Sequence, residues 1–102
     1  MSSLSTTLRI DPGHRALPGH FPGHPVVPGV VWLAEIVTAA GEQLGFRSGP
    51  SRWRRVRFMR PVAPATPVRL TLEGSADAFS FRLTTLDDQP VASGQCAHVS
   101  LE

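Results

Sequence analysis

The sequence lacks the features that would place it in a membrane or in an oxidising compartment. It contains one cysteine, Cys96, so no disulfide can form within the chain. No apolar run approaches the ~20 residues of a membrane-spanning helix. The polar N-terminus has neither the charged start nor the apolar core of a signal peptide. We therefore expect a cytoplasmic protein in which Cys96 is a small structural residue of a strand.

Lysine is also absent, and all ten basic side chains are arginines. The formal net charge is only +2, and an arginine-only chain rich in alanine, proline and glycine is typical of genomic base bias. Half of the arginines nevertheless fall within nine residues: Arg52, Arg54, Arg55, Arg57 and Arg60. This cluster is either a solvated strand face or an anion-binding edge.

A length of 102 residues predicts a single domain, here taken as residues 1–102. Hydrophobic residues make up 41% and charged residues 18% of the chain, which indicates a globular rather than a disordered protein. A core of this size often gains stability from association, so we expect an oligomer.

One helix is predicted, and it follows a loop too rich in proline and glycine to be helical. Residues 11–29 contain five prolines and four glycines. Apolar residues then recur at helical spacing from Val30 to Leu44, with Pro28 just before them and Gly45 at the expected C-terminal cap. The predicted buried stripe is Val30, Leu33, Ala34, Val37, Ala40, Gly41 and Leu44. The predicted polar side is Glu35, Thr38 and Glu42.

Alternating patterns predict five strands, at residues 4–10, 52–60, 67–73, 78–85 and 91–101, with a bulge at Gly94 in the last one. Their short connections favour an antiparallel sheet. A single helix stays buried only if the sheet curls over its apolar face. The expected fold class is therefore α+β, with an antiparallel sheet wrapped around one helix.

A specific motif precedes the helix: residues 20–29 read His-Phe-Pro-Gly-His-Pro-Val-Val-Pro-Gly. This segment resembles the signature of the beta-hydroxyacyl-acyl carrier protein dehydratases, and residues 57–62 and 90–92 resemble strands of that family. The resemblance covers nearly the whole chain. It implies a hotdog fold, a homodimer or higher oligomer and no cofactor. It also implies a lyase that dehydrates 3-hydroxyacyl groups to 2-enoyl thioesters, in fatty-acid or polyketide/aryl-polyene-type biosynthesis. The implied substrate is carried on the phosphopantetheine arm of an acyl carrier protein.

Dehydration needs a base for the C2 proton, a donor that polarises the thioester carbonyl, and an acid for the departing hydroxyl. The ordinary pKa of a histidine lies near working pH, which suits His20 to the first role. Gly29 stands at the start of the helix, where unpaired N–H groups and the positive dipole can bind an oxyanion. By resemblance, His20 is the catalytic histidine and the Gly29 amide binds the carbonyl.

The acid is the point of departure from the family. The resemblance places it fourteen residues after the histidine, where this chain has Ala34, and Glu35 lies about 100° further round the helix. Two hypotheses follow. In one, Glu35 replaces the missing acid. In the other, the chain is a non-catalytic or partner-dependent subunit that binds acyl carrier protein or a second hotdog chain, since the family's histidine and acid come from different subunits.

Other predicted site residues are less specific. An acyl thioesterase that uses Glu35 is a further alternative. Phe21, Val30 and Trp32 are expected to line the acyl site, although core packing also explains the aromatic residues. An acidic carrier protein would be attracted by Arg52, Arg54, Arg55 and Arg57. Three Pro-Gly-His triplets end at His14, His20 and His24, but no obvious set of ligands completes a metal site and none is expected. We expect His98 to be structural or exposed.

Overall fold

The computed structural model describes residues 2–13 and 26–100, which form five strands and one helix. The elements in chain order are β1 (Ser2–Leu8), α1 (Gly29–Leu44), β2 (Ser51–Phe58), β3 (Val68–Gly74), β4 (Ala78–Thr85) and β5 (Pro90–His98). The predicted order of one strand, one helix and four strands is confirmed, and the helix begins one residue earlier than predicted. No helix in the described part of the chain has the length and apolarity to span a membrane.

The strands form one antiparallel sheet in the order β1-β3-β4-β5-β2. The first two strands of the sequence therefore lie at opposite edges of the sheet. The helix belongs to the connection between them, so it packs across one face of the sheet. This arrangement is the predicted sheet wrapped around a single helix.

The core lies between α1 and the face of the sheet that α1 covers. Alternate residues of the central strands are buried on this face, because successive side chains of a strand point to opposite sides. The sheet contributes Val68, Leu70, Leu72, Phe79, Phe81, Leu83 and Cys96, and the helix contributes Val31, Trp32, Ile36, Ala39 and Ala40. The other face of the sheet is polar.

The predicted buried stripe of α1 is confirmed only in part: Ala40 is buried, and Leu33, Val37 and Leu44 pack against the core. Val30, Ala34 and Gly41 are exposed, whereas Trp32 and Ile36 are almost completely buried. Apolar residues occupy two overlapping helical series in this segment. The series with the larger side chains removes more apolar surface from water when it packs on the sheet. The helix consequently presents a second face of small residues away from its own sheet.

Both ends of the helix follow from the backbone preferences of the flanking residues. Pro28 is extended, with φ −62° and ψ 148°, and its carbonyl accepts hydrogen bonds from the N–H groups of Val31 and Trp32 at 3.0 and 3.3 Å. Gly45 has φ 69°, and the N–H of Phe46 reaches back to the Ala40 carbonyl at 3.2 Å. Gly45 thus ends the helix in the left-handed conformation that glycine adopts without strain, which confirms the predicted C-terminus.

The sheet has two irregularities. One is in β5 at Val91, which lies between Pro90, paired with Thr84, and Ala92, paired with Leu83. The other is in β2, opposite Gly94. Arg54 pairs with Gln95 and Arg57 pairs with Ser93, so two residues of β2 stand opposite Gly94. The first of them, Arg55, has φ 54°. Gly94 is required for packing instead, since a Cβ there would lie 2.8 Å from the Phe81 ring. The predicted bulge at Gly94 is therefore wrong in its position: β5 bulges at Val91 instead, and the extra residue opposite Gly94 belongs to β2.

Candidate functional site

Two predicted site residues, His20 and Phe21, lie outside the described residues, as do His14 and His24. Their roles stay predictions. The described part of the site consists of the start of α1, the end of β2 and the helix positions that follow Gly29.

A backbone hydrogen bond fixes the chain just before α1. The Val27 N–H donates to the Val62 carbonyl at 2.9 Å, which ties the chain just before the helix to the segment after β2. The first helical residues, Gly29 and Val30, have no carbonyl acceptor within the helix because the chain before them is not helical. Their amides therefore lie at the positive end of the helix without an acceptor inside it.

The Phe58 ring packs directly against Gly29. A Cβ at position 29 would lie 2.8 Å from Cζ and 2.9 Å from Cε2 of this ring. Real Cβ atoms do not approach other atoms so closely, so any other residue at this position would displace the ring or the helix. The glycine that was predicted for close approach of a thioester oxygen thus also permits close approach of an aromatic ring.

Exposed apolar side chains lie at this contact and beside it in the sequence. Val30 is 74% exposed, Phe58 50% and Met59 48%, although all three are large hydrophobic residues. The Met59 N–H donates to the Val91 carbonyl at 2.8 Å, which anchors the backbone after β2 to β5. We call Val30, Phe58 and Met59 the apolar patch. The sequence analysis predicted Val30 as a site residue but did not single out Phe58 or Met59.

The two helix positions considered for the acid differ in their surroundings. Ala34 is exposed, and Glu35 is half-buried on the flank of the buried face. This reverses the prediction, which assigned Ala34 to the buried stripe and Glu35 to the polar side. The Ala34 carbonyl accepts a hydrogen bond from the Thr38 hydroxyl at 3.0 Å. No ion pair between described residues involves Glu35.

The other predicted site residues lie apart from this region. Trp32 is 2% exposed and belongs to the core. Three of the four arginines predicted to bind a partner, Arg52, Arg54 and Arg57, pair with residues of the polar face. They therefore project away from α1, while Trp53 between them points toward the core. The fourth, Arg55, is exposed in the bulge.

Two titratable residues of β5, Cys96 and His98, are wholly or partly buried. Burial raises the pKa of the Cys96 thiol, and a hydrogen bond with Ser51 partly opposes this effect. A thiol with a raised pKa is a poor nucleophile near neutral pH, so the prediction of a structural cysteine is confirmed. His98 is half-buried, and its Nδ1 is buried without a hydrogen-bond partner in the described structure.

Comparison with known proteins agrees with this arrangement. The family model named ApeI-like, described as ApeI dehydratase, matches residues 1–95. The 3-hydroxyacyl-acyl-carrier-protein dehydratase FabZ of Thermus thermophilus is 44% identical over 69 residues, which are 60% of this chain and 47% of that protein. The chain thus matches about half the length of this curated relative.

Solved structures show the same fold. The dehydratase heterocomplex ApeI:P from Xenorhabdus doucetiae matches 93% of this chain and 85% of its own, with a TM-score of 0.75 and 24% identity. The (R)-hydratase from A. caviae involved in PHA biosynthesis matches 97% of this chain and 95% of its own, with a TM-score of 0.69 and 16% identity. These likenesses confirm the hotdog fold. Since the family model spans nearly the whole sequence, the chain belongs to the ApeI-like dehydratase family.

Proposed function

We propose that this chain supplies half of a site that dehydrates 3-hydroxyacyl thioesters carried on an acyl carrier protein. The observation that carries the proposal is the start of α1, where the amides of Gly29 and Val30 adjoin the exposed apolar patch. Charge that develops on a thioester oxygen would be stabilised by these amides. The patch would contact the neighbouring acyl chain or a second subunit.

The reaction needs a base that removes a proton from C2 and an acid that protonates the leaving hydroxyl at C3. His20 removes the proton at C2, and the electron pair forms the C2–C3 double bond as the C3–O bond breaks. The hydroxyl leaves as water after it accepts a proton from the acid. At the position of the family's acid this chain has Ala34, so a homodimer would lack that acid in both of its sites.

The exposure of Ala34 supports a partner as the source of the acid. In the dehydratases that this chain resembles, histidine and acid come from different subunits, so position 34 would face the partner's histidine rather than His20. Ala34 does point away from its own sheet. A partner chain with an acid would complete the site of His20, while the site at Ala34 would stay inactive. The heterocomplex of the Xenorhabdus doucetiae relative supports the same kind of assembly.

The remaining aspects of the proposal are the carrier, the compartment and the extent of the domain. Carrier proteins are acidic, but three of the four arginines of β2 project from the face opposite Gly29, so we do not assign them to carrier docking at this site. We place the reaction in the cytoplasm, and we propose that residues 1–102 act as one hotdog domain.

The test is a dehydration assay on a 3-hydroxyacyl thioester of an acyl carrier protein, with formation of the 2-enoyl product as the readout. We expect little turnover by the chain alone and substantial turnover after addition of a hotdog subunit that carries an acid. His20→Ala should abolish that turnover, whereas Glu35→Gln should leave it nearly unchanged. Full activity of the chain alone, lost in Glu35→Gln, would instead identify Glu35 as the acid. Turnover unaffected by His20→Ala would refute the assignment of the base.

A further inference from the structure

The outer edge of β2 is unpaired in the described structure. β2 is the last strand of the sheet, and among the described strands its only neighbour is β5. Backbone N–H and C=O groups along this edge are therefore available to a strand from another chain. The apolar patch lies at one end of this edge, because Phe58 belongs to the patch and is the last residue of β2.

This edge carries a strong and uncompensated positive charge. β2 reads Ser-Arg-Trp-Arg-Arg-Val-Arg-Phe from residue 51 to residue 58, and it contains no acidic residue. The ion pairs between described residues use Arg47 and Arg69 instead. We call Arg52, Arg54, Arg55 and Arg57 the arginine strip; all four side chains are exposed.

The rest of the sheet does not neutralise the strip. On β5 the residues opposite it on the polar face are neutral: Ala97, Gln95 and Ser93. The nearest acid in the same row is Glu73 of β3, which is aligned with Arg54 through Ser80 and Gln95. The backbones of Glu73 and Arg54 are three strand spacings apart, or about 14 Å, and no ion pair joins their side chains.

A second copy of this chain is a poor partner for such an edge. If two copies of β2 pair about a two-fold axis, every antiparallel register that aligns five or more residues places at least one arginine opposite an arginine. Like charges directly opposite each other destabilise a strand pair by roughly 0.2–1 kcal/mol. In the fully aligned register, the eight arginines of the two strands would also lie within a length of about 17 Å, since a strand rises ~3.3 Å per residue.

The edge is nevertheless not simply closed to pairing. Charged side chains and a bulge, here at Arg55, are devices that keep an edge strand from pairing indiscriminately. The half-exposed Phe58 and the exposed Val30 beside it are large apolar side chains that a permanently free edge would leave in water. An edge that combines apolar contacts with one sign of charge discriminates between partners rather than rejecting all of them.

We propose that the β2 edge excludes a second copy of this chain and pairs with a hotdog chain whose opposing edge strand is acidic. The inference rests on the two-chain site proposed above, and it identifies the surface and the charge by which the second chain is chosen. The arginine strip would face the partner's carboxylates, and the apolar patch would be covered at the same time.

A charge-reversed copy of the protein serves as the probe of this edge. We would mix the wild-type chain with the triple variant Arg52→Glu/Arg54→Glu/Arg57→Glu and measure association by sedimentation equilibrium. At about 10 mM salt, where the Debye length is ~30 Å, we expect a mixed dimer at least about tenfold tighter than either self-dimer. At about 1 M salt the preference should disappear, and self-association of the wild-type chain should increase as the repulsion is screened.

Arg82→Glu is the matched control, because Arg82 lies on the same face of the sheet but on β4, two strands from the edge. A mixture of this variant with wild type should behave as wild type alone does. The single variant Arg54→Glu gives the same comparison if the triple variant does not fold, which circular dichroism would reveal.

Wild type that self-associates at low salt as tightly as the mixture would overturn the proposal. Absence of association in every mixture would do the same. Binding of an acyl carrier protein that is lost in Arg54→Glu but kept in Arg82→Glu, without a mixed dimer, would assign the strip to the carrier and overturn the proposal as well. No substrate is present in these measurements, so failure here is separate from failure of the dehydration assay.

Discussion

Replacement of Gly29 by alanine tests whether the start of α1 is held by Phe58. The new Cβ would lie 2.8 Å from the ring, whereas carbon atoms pack at about 3.5–4.0 Å. The ring or the helix must therefore move by roughly 0.7–1.2 Å. Overpacking of this kind costs about 1–3 kcal/mol. Removal of a glycine from the unfolded chain returns about 0.4–1 kcal/mol.

The net expectation for Gly29→Ala is a loss of about 0.5–2 kcal/mol in the free energy of unfolding. For a chain of this length each kcal/mol lowers the melting temperature by about 4–8 °C. Urea unfolding measures the free energy directly, and an unchanged slope would show that the unfolded state is the same.

Gly41→Ala is the matched control within the same helix. Its Cβ would meet only the Phe46 carbonyl oxygen, at 3.9 Å. This substitution should therefore stabilise the protein by about 0.4–1 kcal/mol. Phe58→Ala in the background of Gly29→Ala should reveal a coupling of about 1–2 kcal/mol, since the clash needs both partners. Equal stability of Gly29→Ala and Gly41→Ala would refute the reasoning, because the ring would then move away freely.

Three further outcomes are expected. Gly94→Ala places a Cβ 2.8 Å from the buried Phe81 ring and should destabilise the chain by about 1–3 kcal/mol, measured by urea unfolding; full stability would contradict the packing described. Because burial raises the pKa of Cys96 in the folded state, the unfolded chain loses this proton first, so stability should fall as pH rises above about 8.5; the same decline in Cys96→Ala would exclude the thiol as its cause. Ala34→Glu should raise dehydration by the chain without a partner, at a protein concentration high enough to force self-association, with Ala34→Gln as the control; equal rates for the two variants would exclude position 34 from the site.

The strands were predictable because period-two alternation is strong where one face is buried. In β4, Phe79, Phe81 and Leu83 face the core between exposed neighbours, and the predicted bounds at residues 78–85 coincide with those observed. The edge strand β2 was less predictable in detail. A bulge adds one residue to one strand only, and which strand it affects depends on the pairing partner rather than on local sequence.

The helix was predictable in extent but not in orientation. Proline and glycine mark its ends through their own backbone preferences, without reference to the rest of the chain. Its buried face depends on which of two apolar series packs on the sheet, and Trp32 and Ile36 decide this by their size. The contact between Gly29 and Phe58 joins residues far apart in sequence, so no local pattern could reveal it.

Position 34 and the arginine strip lead to the same conclusion from independent features. If histidine and acid come from different chains, a homodimer of this protein contains two histidines and no acid at position 34, so both of its sites lack a proton donor there. If the charge on β2 excludes that homodimer, no active assembly is lost. A heterodimer contains one complete site, which joins His20 to the partner's acid. Alanine at position 34 and the arginines of β2 would thus both favour the mixed assembly over the homodimer.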